Sequence, residues 1–143
     1  MVTSAPRWRE RNERDSEMKK FNPENFYDPP GSWVNAVELG GDERLLVTSG
    51  VVGITPTGEL VEDPEDQIRE AWKNVGRMLE SAGMSPDDLV KMTVYMTSTN
   101  HLPISREARE QMLGEARCAM TGVVVQLVDP AMVIEIDVYA AKR

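Results

Sequence analysis

The chain has one cysteine, Cys118, one histidine, His101, and two phenylalanines among its 143 residues. A lone cysteine excludes an intramolecular disulfide, which suits a protein kept in a reducing compartment. A lone histidine without a cysteine cluster leaves too few ligands for a zinc centre. No glycine-rich phosphate loop and no Ser/His/Asp pattern can be read along the chain, so the sequence calls for no cofactor and no metal. No apolar run approaches the roughly 18 residues needed to cross a bilayer. Residues 1–9 lack the apolar core of a secretory signal, so a cytoplasmic location without a membrane partner is expected. Basic residues are scarce too: 16 Lys and Arg against 24 Asp and Glu give a formal net charge of -8. A surface of that sign repels phosphate backbones and disfavours nucleic acid as the main partner.

What is present suits one domain. A hydrophobic fraction of 41% at this length is enough to bury a single core. Residues 1–20 stand apart. From Arg7 to Lys20 the chain is almost continuous charge, with Trp8 and Met18 as its only large apolar groups. Such a stretch cannot offset its ordering entropy by burial and reads as a charged, flexible arm. The domain proper is expected over 21–143.

Pro23, Pro29, Pro30 and Gly31 mark an extended, turn-rich approach. Val34, Ala36 and Val37 then lead to Leu39, Gly40-Gly41-Asp42 make a turn, and Leu45-Leu46-Val47-Thr48-Ser49 return as the second arm of an antiparallel hairpin. Asp63 before Pro64 is an N-cap with proline at the first helical position, and Glu65 and Asp66 suit the first turn. Ile68, Ala71, Trp72, Val75, Met78, Leu79 and Ala82 recur as one apolar stripe, ended by Gly83. A strand at 89–97, a weaker helix at 104–114, and strands at 123–125 and 133–139 complete a ββαβαββ order. The fold class is α/β (α+β), one mixed sheet with both helices packed on one face. The other face is left for self-association, to which the apolar Val123-Val124-Val125 contributes.

Several motifs in this order resemble the Rid (YjgF) family from about Phe21 to Ala141. Phe21-Asn22-Pro23-Glu24 followed by Pro29-Pro30-Gly31-Ser32-Trp33 is similar to the family's lead-in, and Val47-Thr48-Ser49-Gly50 to its strand end. Asp88 to Thr97 resembles the central strand, and Asp129-Pro130 followed by Val133-Ile134-Glu135-Ile136-Asp137 the closing one. The resemblance implies a chorismate-mutase-like homotrimer with clefts between subunits. In archetypal members it implies hydrolysis of 2-imino acids and enamines to 2-keto acids and ammonia. That chemistry grips the substrate carboxylate with an arginine and positions water near a glutamate.

Carried onto this sequence, the resemblance makes Glu135 the water-positioning carboxylate. Met120 stands at the arginine position and cannot donate a hydrogen bond. Arg117, three residues earlier, substitutes only if the strand is shifted or bulged. Trp33 stands where the family commonly has a tyrosine, and Arg106 where the archetype has an asparagine. Arg106 either brings positive charge to the cleft or pairs with Glu110 at i+4. Ser49 and Gly50 match a cleft-lining loop, against the plain alternative of a strand exit. Gly122 takes the place of a pocket cysteine, which leaves Cys118 structural. Two functions follow. One is a divergent enzyme acting on an imine or enamine metabolite other than small 2-imino acids. The other is a non-catalytic trimer that binds a small molecule or a protein. RNA cleavage is disfavoured by the charge.

Overall fold

The structure, a computed structural model, describes residues 18–143. The expected arm, Trp8 included, therefore lies outside the described residues except for its last three. Of these, Lys19 and Lys20 already belong to a strand, β1 (Lys19–Phe21). Then follow β2 (Trp33–Val34), β3 (Ala36–Glu38), β4 (Arg44–Val47), α1 (Pro64–Ser81), β5 (Leu89–Met96), α2 (Leu102–Leu113), β6 (Cys118–Val124) and β7 (Ile134–Lys142). Five strands form one mixed sheet in the order β2-β6-β5-β7-β4, and β1 pairs with β3 apart from it. Strands β2 and β5 run parallel to β6, whereas β4 and β5 run antiparallel to β7.

The expected hairpin across Gly40-Gly41 does not form. The chain does turn there: Gly41 has φ 104°, and the Glu43 carboxylate accepts from Gly41 N at 2.8 Å and Gly40 N at 3.2 Å. Those bonds, Gly41's foremost, hold the Glu43 carboxyl below its usual range. The two arms then part, β3 pairing with β1 and β4 with β7. A glycine turn signals reversal of the chain; it does not choose the partner of each strand.

Helix α1 starts as its cap dictates, with Asp63 Oδ1 accepting from Asp66 N at 3.0 Å. Gly83, with φ 68°, supplies the left-handed turn after its end. Ile68, Ala71, Trp72, Val75 and Leu79 are buried against Met92, Ile134, Ile136 and Val138 of the sheet. Met78 departs from the expected stripe, being 43% exposed. Trp72 is core, and its indole donates to Ser105 Oγ of α2 at 3.1 Å, pinning one helix to the other. Buried Gln67 ties α1 to the last loop, donating to Ala131 O at 3.0 Å and accepting from Val133 N at 2.7 Å. Among the described residues no helix is long and apolar enough to cross a membrane.

Candidate functional site

Strand parity decides which of the expected site residues can meet. Met120 pairs with Met92 and Gly122 with Val94, and Met92 and Val94 are buried under the helices. Glu135 pairs with Tyr95 and Asp137 with Thr93. Neighbouring residues of a strand point to opposite faces. Met120 therefore lies on the helix face of the sheet, and Glu135 on the open face.

On the helix face, the lead-in segment, β6 and α2 enclose a hollow of about 660 Å³. Trp33 reaches it because β2 runs beside β6, with Trp33 opposite Cys118. Arg106 and Arg109, three apart on α2, share the side of the helix that faces it. Arg106 is exposed at the rim, and no ion pair joins it to Glu110 among the described residues. Arg109 is half-buried and reaches over Met120, with Nη1 3.4 Å from Sδ. A thioether is a weak acceptor. Among the described residues, Arg109 Nε is buried with no partner, as is Ser32 Oγ, and both residues line this hollow. Withdrawal from water lowers the Arg109 pKa, Glu110 opposing this and Arg106 adding to it.

On the open face, Gly50, Tyr95, Glu135 and Asp137 border a shallower hollow of about 300 Å³, with Val125 and Val128 on its edge. The Glu135 side chain lies so close to Gly50 that a Cβ there would run into its carboxylate. Gly50 is not among the positive-φ glycines, so it is required by space and not by backbone conformation. Tyr95 donates to Asp137 Oδ2 at 3.2 Å. Withdrawal from water and this bond hold its phenol above the usual tyrosine range.

Trp33, Arg106 and Met120 are thus together, Gly50 and Glu135 are together, and the two groups are apart. Ser49, next to Gly50, lines a third groove running past Val51 and Ile54 to Met78 of α1. Arg117 curls back on its own turn, with Nη1 donating to Glu115 O and Ala116 O at 3.0 Å each, and lines none of these hollows. Cys118 is buried in the core, which pushes its thiol up to about 11. His101 ends a short 3-10 turn before α2. No group of three or more metal-ligating side chains occurs among the described residues.

Arg109, Ser32 and Tyr95 are not among the site residues that the sequence suggests, although Ser32 and Tyr95 fall within its motifs. For Arg109 a signal existed: it is three residues from Arg106, beside Ser105 and Ala108, which α2 buries.

The family described as Endoribonuclease L-PSP matches residues 24–142. A RutC family protein of Pyrococcus horikoshii is 34% identical over 84% of this chain and 94% of its own length. The 2-iminobutanoate/2-iminopropanoate deaminase of Escherichia coli is 30% identical over 87% of this chain and 98% of its own. Among solved structures, YyfB of Yersinia pestis, a Rid family protein of unknown function, superposes with a TM-score of 0.72. It is 28% identical and covers 87% of this chain and 98% of its own. Escherichia coli TdcF with bound serine gives 0.64 at 30% identity, over 80% of this chain and 91% of its own.

Proposed function

The chain belongs to the Rid (YjgF) family, and on that premise we propose that it is an imine or enamine deaminase whose cleft is completed by a second copy of the chain. Relatives named as deaminases support imine-related chemistry in general. The observation that carries the finer reading is Glu135 lodged against a glycine, Gly50, that the backbone does not otherwise need. That packing leaves a carboxylate beside an open hollow, where it can hold a water.

The reaction balances with the protein's own groups. Water oxygen adds to the imine carbon, the C=N π pair moves to nitrogen, and Glu135 carries the water's proton toward that nitrogen. The carbinolamine then collapses: its hydroxyl proton passes by way of Glu135 to the amine nitrogen, the O–H pair closes the C=O bond as the C–N bond breaks, and ammonia leaves. No redox partner is needed.

Met120 and Glu135 face opposite ways in one protomer, so a cleft using both takes each from a different copy. The open face offers apolar surface for such assembly: Leu45 is 57% exposed, Val47 55% and Tyr139 43%. A homotrimer is the assembly we infer. Its ligand is a small molecule, bulkier than small 2-imino acids because Trp33 and Tyr27 line a hollow larger than such acids fill. One observation favours the runner-up, a trimer that binds its ligand without chemistry: Met120 offers no donor where the family resemblance calls for an arginine.

The test generates imines in place from small and bulky amino acids with an amino-acid oxidase, and follows ammonia release. Faster release from bulky imines is expected, together with loss of activity in Glu135→Gln and a solution mass three times the 16.0 kDa chain. Ligand binding without release from any imine would leave the binding module. Full activity in Glu135→Gln would remove the role given to that residue.

A further inference from the structure

The helix-face hollow is lined by donors for which the described residues provide no good acceptor. Among the described residues, Arg109 Nη1 bonds to the Met120 sulfur and its buried Nε has no partner. Ser32 Oγ, from the lead-in segment, is buried and unpartnered at the same hollow. Native structures leave few such groups, and each needs an explanation. Here both belong to side chains that line one space, and an acceptor bound there gives each a partner once the side chain turns toward it. Arg106 adds a second positive charge, and Glu110 is the one acid among the lining residues. Trp33, Val94, Met96 and Met120 give the remaining wall an apolar character.

We propose that Arg109 is the anion anchor of this site, holding the carboxylate of a bulky 2-imino or 2-oxo acid from helix α2, over the methionine that occupies the strand position. The proposal rests on the hollow being half of the substrate cleft. A carboxylate is the matched acceptor because the guanidinium is a rigid planar fork of donors that takes two oxygens at once. Ser32 Oγ supplies a further donor from the facing segment. Arg106, at the rim, attracts the anion without being needed for the fork. The apolar walls receive the flat or branched remainder of the molecule.

Calorimetry on the full-length protein with phenylglyoxylate, a stable 2-oxo acid, and its methyl ester tests this. The wild type needs no variant for the first answer: the acid is expected to bind at least about tenfold more tightly than the ester, the contribution of a charged hydrogen bond. Arg109→Met should weaken the acid about 10- to 100-fold and leave the ester unchanged, while Arg109→Lys, which keeps charge but loses the fork, falls between. Arg69→Gln, on the exposed side of α1, is the control for net charge. Equal binding of acid and ester to the wild type, no binding of the acid, or an unchanged Kd in Arg109→Met overturns the proposal, as does a loss that follows Arg117→Gln instead. Binding is read apart from ammonia release. Acid-selective, Arg109-dependent binding with no release from any imine keeps the anchor and removes the deaminase. Release and affinity both unmoved by Arg109→Met keep the deaminase and remove the anchor.

Discussion

Gly50→Ala is expected to separate the proposed deaminase activity from stability. The added methyl would occupy the space of the Glu135 carboxylate, the far end of a flexible side chain, so the side chain gives way and the strand stays. Gly50 is not in the left-handed region. Alanine is therefore free of backbone strain there, and the lower entropy of its unfolded state returns about 0.4–1 kcal/mol. Global stability should hold within about 1 kcal/mol of wild type. The carboxylate, however, must swing away from the position it now holds. A displacement of about 1 Å at a reacting centre costs on the order of 10²-fold, near 2.7 kcal/mol of transition-state stabilisation. The assay is ammonia release from the imine that the wild type hydrolyses best, with a denaturant melt on the same samples. Gly58→Ala makes the contrast, because Gly58 has φ 87° and open space around it. It should lose about 1–2 kcal/mol of stability and keep its activity. In a Glu135→Ala background Gly50→Ala should cost nothing more. Full activity in Gly50→Ala, or the same loss in both backgrounds, would refute the assignment of Gly50 as the space that Glu135 needs.

Two further outcomes follow, one from a buried thiol and one from an exposed apolar face. Cys118 has its thiol pushed from an ordinary 9.0 up to about 11 by burial, with Lys20, Arg109 and Lys91 pulling the other way. The folded state thus favours the neutral thiol, and its contribution, on the order of 2–3 kcal/mol, is complete below pH 9 and disappears as pH rises through about 11. Denaturant melts across that window should fall more steeply for wild type than for Cys118→Ala, and parallel curves would dismiss the thiol as the cause. Val47→Glu places a charge on the exposed apolar face beside Tyr139, its partner across β7. Light scattering should give a mass near the 16.0 kDa monomer with an intact circular dichroism spectrum; an unchanged trimer would show that this patch is not the contact.

The parts of the fold that were legible are those governed by local chemistry. The Asp63–Pro64 start of α1, its buried stripe and the Gly83 exit follow from capping, spacing and a positive φ, and each involves residues within a few turns of one another. Strand partners were not legible. Nothing in Gly40-Gly41 says that β3 turns to β1 while β4 goes to β7, because pairing is decided by surfaces far away in the chain. Met78 shows the same limit on a smaller scale. It keeps the helical spacing of its neighbours, yet lies 43% exposed beside buried Leu79, on the side of α1 that lines the groove with Leu46 and Val47.

The candidate site was legible only along single strands. A motif read on β6 or β7 gives residue types in order, and parity then gives the face each one takes, but the motif is silent about what the opposite layer sends into the same space. That is why Met120 reads as a lost donor in the sequence, while in the structure Arg109 stands over it with Nη1 3.4 Å from the sulfur. A strand side chain is tied to its face by the sheet, and shifting it by one residue would turn every neighbour over. A helix packed on that face can deliver a long side chain to the same hollow from any position on the right side, at no cost to sheet register. Position 109, three after Arg106, is such a position. An anchoring charge can therefore move from sheet to helix while fold, hollow and the Gly50–Glu135 packing all persist. Functional residues in this chain are better sought by asking which layers border a hollow than by asking what occupies one aligned position.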